Sequence, residues 1–298
     1  MIHTLSHLCY SLYSSPEELE EVITHIDKYY YQKVELKTNK DGSPKLDAKG
    51  QPRKRILYPS IGKLKKLQEK LLARILNFIE MPGYAYGAIK GKDNVMNAKQ
   101  HQGKKYVFTT DLKDFFPYIN HHQVFEMFRR KNFSPTVARI LTQLTTYKGQ
   151  VPQGAPTSPM IANLVFTKTG DKLSSLAQQE DLTFTSFIDD LTFSSSRDFK
   201  PLVQKIMHVI KGDGFRISHK KTNYKTKNPK VTGAIVKNNH LAFTYEFKEK
   251  LKFPLSLTPE QQEGVRLYAK KLAHANNNWV GFNNTLCEVF GKKDSTCD

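Results

Sequence analysis

Asp189 and Asp190 stand side by side in Leu182-Thr-Phe-Thr-Ser-Phe-Ile-Asp-Asp-Leu-Thr-Phe-Ser194, flanked on both sides by apolar and β-prone residues. That pattern predicts a β-hairpin carrying two carboxylates at its tip. Upstream, Lys105-Tyr-Val-Phe-Thr-Thr-Asp111 reads as a strand that ends in a third acid. Three carboxylates converging from two strand ends suit a pair of hard divalent cations, because Mg²⁺ prefers oxygen ligands and leaves room for substrate phosphates. By themselves, adjacent aspartates also fit a plain polar turn, since Asp favours turns. In a chain of formal charge +18, the set points to phosphoryl transfer on nucleic acid.

The bulk properties agree with a polyanionic partner. There are 46 Lys+Arg against 28 Asp+Glu in 298 residues, and 39% of residues are apolar, ample for a core. The basic residues cluster: Lys33 to Lys70 holds 12 against 4 acids, and Lys205 to Lys237 holds 9 against 1. Clustering of this kind separates a nucleic-acid binder from a merely basic enzyme. Cys9, Cys287 and Cys297 make no metal-ligand pattern and read as reduced thiols of a cytoplasmic protein. No apolar run approaches a membrane span and Met1-Ile-His-Thr lacks a signal-peptide layout, so a cytoplasmic protein with no membrane partner is expected.

The elements that must carry these acids follow from periodicity and punctuation. Ser15-Pro16-Glu17-Glu18 reads as a capping box opening a helix to about Tyr31. Residues 37–53 are turn-formers and charges, a mobile hairpin or loop. Ile61, Leu64, Leu67, Leu71, Leu72, Ile75 and Phe78 recur at helical spacing, predicting a helix from Ser60 to Glu80. A glycine- and tyrosine-rich loop, 82–88, follows. Helices are expected over 121–131, 135–146 and from the 152–159 loop to about Gln179, then the acidic hairpin over 182–196. A helix at 199–211, short strands within 230–247, a helix from Thr258 to about His274 and a short one at 279–290 complete the reading. Alternating strands and helices in the middle of the chain indicate an α+β sheet domain.

Four ordered strings resemble motifs A to D of reverse transcriptases: Asp111-Leu-Lys-Asp-Phe-Phe-Pro-Tyr-Ile119, Pro152-Gln-Gly-Ala-Pro-Thr-Ser-Pro159, Phe187-Ile-Asp-Asp190, and Gly214-Phe with Lys221-Thr222. Asn97-Ala-Lys-Gln-His101 and Val231-Thr-Gly233 are similar to elements of the bacterial retron type. One departure stands at the tip, where the family usually has Tyr-Ala-Asp-Asp. Phe keeps the ring without the hydroxyl, so polymerisation should survive while primer-end contacts differ.

The resemblance implies an α+β, right-hand polymerase fold. An N-terminal helix and fingers would occupy 1–105, a palm with an antiparallel sheet 106–240 with inserted fingers helices at about 121–160, and a helical thumb 241–298. It implies two Mg²⁺ ions, or Mn²⁺, at Asp111, Leu112, Asp189 and Asp190, with Asp190 auxiliary. Lys221 would donate a proton to the leaving pyrophosphate or neutralise it, with the adjacent Lys220 as the alternative one residue away. Deoxynucleotide binding falls on Arg53, Arg55, Asp114, Phe115, Phe116 and Gln153, with Arg55 the first choice within Arg53-Lys54-Arg55 and a solvated charge run the alternative for that segment. Phe116 matches the aromatic gate that excludes a 2′-hydroxyl, with a core aromatic as the alternative. Asp114 matches a position that meets the triphosphate through its backbone, and a helix N-cap is the compatible alternative. Asn97, His101, Val231, Thr232 and Gly233 are RNA-contact or scaffold elements, and Arg266 and Lys270 belong to a thumb gripping the template–primer.

The implied function is RNA-directed DNA synthesis on a dedicated structured noncoding RNA, primed from a guanosine 2′-hydroxyl and giving RNA-linked DNA for anti-phage defence. Its implied partners are that RNA, its DNA product, dNTPs and an effector or toxin protein. The rivals are another defence-associated or abortive-infection reverse transcriptase, an RNA-dependent RNA polymerase, and a catalytically silent RNA-binding scaffold.

Overall fold

The computed structural model describes residues 2–39, 43–47, 49–252 and 257–277, so the expected helix at 279–290 lies outside the described residues. The chain forms two compact units, Met1–Pro82 with Asp114–Lys168, and Gly83–Lys113 with Thr169–Asp298. Residues 83–105, expected with the fingers, thus group with the acid-bearing sheet.

In the first unit, α1 (Leu5–Leu12) is capped by the Thr4 hydroxyl, which accepts the His7 N–H. Helix α2 (Pro16–Thr24) starts where the Ser15 hydroxyl accepts the Glu18 N–H. The return half of the expected capping box is replaced, because the Glu18 carboxylate takes the Ser14 hydroxyl at 2.6 Å. The helix stops at Thr24 rather than Tyr31. Its last residues are the β-branched run Val22-Ile23-Thr24, which loses side-chain freedom in a helix, and a 3₁₀ turn over Ile26–Tyr29 follows.

Strands β1 (Lys33–Leu36) and β2 (Lys54–Leu57) form an antiparallel ribbon with Val34 opposite Ile56. The stretch between them continues the pairing: Lys37 N–H meets the Arg53 carbonyl at 2.8 Å, and Leu46 bridges Pro52. Helix α3 (Gly62–Arg74) buries Leu64, Leu67, Gln68 and Leu71. The buried Gln68 amide is fully used, donating to Tyr30 and to the Leu144 carbonyl and accepting from Ser60. A short α5 (Phe115–Tyr118), α6 (His121–Arg130) and α7 (Pro135–Thr145) complete the helices within this unit. Helix α8 (Ser158–Gln179) begins here and ends in the second unit.

The second unit contains α4 (Asn94–Lys99) and a four-stranded antiparallel sheet of β3 (Tyr106–Asp111), β4 (Thr183–Phe187), β5 (Asp190–Ser195) and β6 (Asn223–Lys225). The strand order is β4-β5-β3-β6, which sets β5 directly beside β3. Helix α9 (Val203–Gly212) follows the acidic hairpin. A second sheet pairs β7 (Lys230–Val231), β8 (Ala234–Val236) and β9 (Leu241–Phe243). The strands end at Phe243 rather than reaching 247, because the Thr244 hydroxyl accepts the Phe247 N–H and opens α10 (Tyr245–Lys252). Helix α11 (Pro259–Ala275) has the expected capping box between Thr258 and Gln261.

Candidate active site

Antiparallel pairing brings the acids together. Asp111, last residue of β3, is the register partner of Asp190, first residue of β5. The Leu112 N–H donates to the Asp189 carbonyl at 2.9 Å, so the hairpin tip is clipped to the end of β3. The segment 216–218 runs alongside: Lys113 N–H meets the Arg216 carbonyl and Ser218 N–H meets the Asp111 carbonyl, both at 2.8 Å. That segment delivers Lys221, whose Nζ lies 2.5 Å from Asp111 Oδ2. Of the adjacent Lys220 and Lys221, Lys221 is the one bonded to Asp111.

The turn itself is unusual. Phe187 pairs with Asp190, leaving a two-residue loop whose first residue, Ile188, has φ 57°. Two-residue hairpin loops with one left-handed residue in that place favour glycine, and a β-branched side chain there is strained. The surroundings hold it. The 84–87 segment pairs with β4, Tyr86 N–H to the Ser186 carbonyl and Ser186 N–H to the Tyr84 carbonyl, both 2.8 Å. Gly87 lies so close that a Cβ there would sit 2.5 Å from the Ile188 nitrogen. The glycine in that loop serves contact with the tip, a role the sequence alone did not reveal.

Electrostatics follow from this crowding. Asp111 is 5% exposed. Although Asp190 reaches solvent, desolvation by the protein packed around it, then the charges of Asp189 and Asp111, push its pKa up to about 6. Burial works against the Lys221 charge, but the hydrogen bond to Asp111 and the three carboxylates outweigh it, and its pKa is raised. The site therefore gathers negative charge that Lys221 only partly offsets.

The donors are hard oxygens alone, which fits Mg²⁺ or Mn²⁺. Among the described residues no three His, Cys, Asp or Glu side chains gather closely enough to hold one ion unaided, so the expected three-carboxylate convergence is looser than a closed ligand cage. Magnesium sites that act on phosphates take one or two carboxylates and complete the shell with water and substrate oxygens, and this set meets that requirement.

Other predicted residues fall elsewhere. In the first unit, Asp114 is the N-cap residue of α5 with φ 52°, its carbonyl accepting the Tyr118 N–H at 3.0 Å, while its side chain makes no capping bond. Phe115, expected at the nucleotide, is 2% exposed and packs edge-on against Phe166; its side chain belongs to the core. Phe116 is half-buried beside it. Gln153 is also half-buried, its carbonyl accepting the Tyr58 N–H at 2.7 Å, which docks the end of the basic ribbon on the 152–159 loop. Arg53 and Arg55 are exposed on that ribbon.

In the second unit, Asn97, His101 and Val231 are 1%, 0% and 1% exposed, so their side chains are scaffold and not RNA contacts. Asn97 Nδ2 donates to the Thr232 hydroxyl at 3.2 Å, joining two strings far apart in sequence. Thr232, with φ 42°, and Gly233 form a half-buried turn. Arg266 binds Glu263 through both Nε and a terminal nitrogen, and Lys270 is half-buried on α11.

An α+β unit that sets carboxylates on neighbouring antiparallel strand ends, beside a lysine, defines a polymerase-type nucleotidyl-transfer domain. Residues 38–236 match the family described as Reverse transcriptase (RNA-dependent DNA polymerase), and the chain belongs to that family, in its bacterial retron type. It is 31% identical over 203 residues to the Retron Ec86 reverse transcriptase of Escherichia coli, covering 66% of this chain and 63% of that one. It is 30% identical over 215 residues to the Retron Mx162 reverse transcriptase of Myxococcus xanthus, covering 61% and 44%. Against the Retron Se72 reverse transcriptase of Salmonella heidelberg the identity is 28% over 258 residues, covering 82% and 65%. The chain thus spans less than two thirds of each of these relatives. No helix among the described residues is long and apolar enough to cross a membrane.

Proposed function

We infer that the chain is an RNA-directed DNA polymerase that joins deoxynucleotides to a primer by phosphoryl transfer. The observation that carries the reading is the register pairing of Asp111 with Asp190, with Asp189 clipped beside them. Asp111 and Asp189 would hold divalent cations, with Asp190 auxiliary and Leu112 contributing beside them. When bound, such ions acidify an attacking hydroxyl and neutralise phosphate charge. The chain's own residues do the rest. Asp111 is held in place by Lys221 before substrate arrives. Lys221, protonated at neutral pH, supplies a proton from Nζ or a positive charge to departing pyrophosphate. Phe116 selects against a 2′-hydroxyl, and Arg53, Arg55 and Gln153 serve the triphosphate and sugar.

The first unit supplies fingers, the sheet of the second the palm, and α10 with α11 the start of a thumb. The retron kinship supports a finer reading. The template is a structured noncoding RNA, copied in the cytoplasm into RNA-linked DNA as part of an anti-phage defence with an effector protein. The test is incorporation of dTTP on poly(rA)/oligo(dT) with Mg²⁺. Asp189→Asn should reduce it by about 10²- to 10³-fold, the scale of lost preorganised charge stabilisation. An equally active Asp189→Asn protein sinks the assignment.

A further inference from the structure

Both ring nitrogens of His101 are engaged in the interior, with hydroxyls rather than with the acids. Nδ1 lies 2.7 Å from Ser194 Oγ on β5, and Nε2 lies 2.7 Å from Thr185 Oγ1 on β4. Thr183 pairs with Ser194 and Thr185 with Thr192, so the two hydroxyls share one face of the hairpin and the imidazole spans them diagonally. Along β4 the strand ends two residues past Thr185, at Phe187; along β5 Asp190 comes four residues before Ser194. A neutral imidazole offers one donor and one acceptor, and hydroxyls accommodate either. Burial, then Lys104, lowers the ring pKa to about 3, so at neutral pH the ring has the form this bridging requires.

The helix that ends just before His101 is itself anchored. Asn94 Nδ2 donates to the Thr232 carbonyl, and the Thr232 hydroxyl donates to the Asn94 carbonyl. Lys99 Nζ donates to the carbonyl of Ala275 at the end of α11, at 2.7 Å. Val95 and Ala98 share a buried cluster with Val107, Val231, Leu241 and Leu272.

We propose that His101 is a positioning residue for nucleotidyl transfer. It staples β4 to β5 and thereby fixes Asp189 and Asp190, while α4 links that hairpin to the 231–233 turn and α11. The inference rests on the polymerase reading of the acid site. It also makes the Asn-Ala-x-x-His and Val-Thr-Gly strings two parts of one support.

Thr185→Val removes one hydroxyl with little change of shape. On poly(rA)/oligo(dT) with dTTP and Mg²⁺, kcat should fall about 10-fold, since small misplacements of reacting groups are costly. KM for dTTP should change less than about twofold, while the Mg²⁺ concentration for half-maximal rate rises severalfold, as expected for displaced carboxylates. Hydrogen exchange of the 186–192 amides should quicken in the same variant. A companion triple variant, His101→Leu, Thr185→Val, Ser194→Ala, replaces the network by apolar groups. It should regain thermal stability and keep the low kcat. Restored kcat in the triple variant, or unchanged kcat and exchange in Thr185→Val, overturns the staple. Wild-type protein without incorporation instead defeats the polymerase reading, and hydrogen exchange still decides the staple.

Discussion

The β4–β5 hairpin and the β1–β2 ribbon are both antiparallel strand pairs, and they are built in opposite ways. The hairpin has Phe184, Thr185, Ser186 and Leu191 to Ser195 buried, with β3 on one side, the 84–87 segment on the other and His101 across its face. Among the described residues the ribbon has neither a third strand nor a buried apolar face. Val34 and Ile56 face each other about half exposed, at 49% and 50%. A carboxylate that must meet a cation at a fixed distance needs a backbone held by several neighbours at once. Under the proposed function, Arg53 and Arg55 would meet a diffusing triphosphate from an open ribbon, where long side chains adjust to a ligand.

The sharpest way to break this contrast is Gly87→Ala. A Cβ there meets the Ile188 backbone nitrogen at 2.5 Å, and neither partner can swing away. The expected cost is about 3 kcal/mol of stability, the upper range for overpacking, with loss of dTTP incorporation as the tip shifts. Gly83, four residues earlier in the same loop, has nothing within 4 Å of its Cβ position. Gly83→Ala should be neutral in urea unfolding and in activity. Equal behaviour of the two variants would show that the tip is not held from this side.

The strings that carry chemistry were legible because they are local. The strand ending at Asp111 and the hairpin around Asp189 and Asp190 fall within one or two residues of their predicted places, since alternation and flanking β-formers encode them directly. What escaped is either short or nonlocal. Helix α1 and the six-residue α4 are too brief for periodicity to assert itself, although Thr4 and Asp93 are both good caps. The roles of Gly87 and His101 depend on partners 84 to 101 residues away, Ile188, Thr185 and Ser194. No window of sequence contains that information. For the same reason Phe115 and Phe116, adjacent and alike, could not be told apart as core and half-exposed aromatic without packing.

A smaller effect follows from the imidazole that staples the hairpin. Its folded pKa is about 3 against an ordinary value of 6.5, so the folded state requires the neutral ring. Above pH 6.5 both folded and unfolded chains carry it neutral, and it contributes no pH dependence. Between 6.5 and 3 the unfolded chain binds a proton that the folded chain refuses, and stability falls with acid. The loss between pH 7 and 5 should be about 2 kcal/mol from this group. Urea unfolding of wild type and His101→Gln at both pH values measures it: the wild type should lose that much more than the variant. Parallel losses would mean that the ring is protonated in the fold.

The least sensitive place should be the ribbon. Val34 and Ile56 leave half of their surface in water, so replacing both by Thr forfeits little burial and keeps β-branched residues on a paired strand. The double variant should change unfolding free energy by less than about 0.5 kcal/mol, the range of ordinary surface substitutions. Thr185→Val, a change of the opposite polarity on the buried pair of strands, should cost more despite adding an apolar group, because it strands a ring nitrogen inside the protein. If the ribbon pair proves the costlier of the two, its apolar face is covered by something that binds there, and the division between a fixed hairpin and an open ribbon no longer holds.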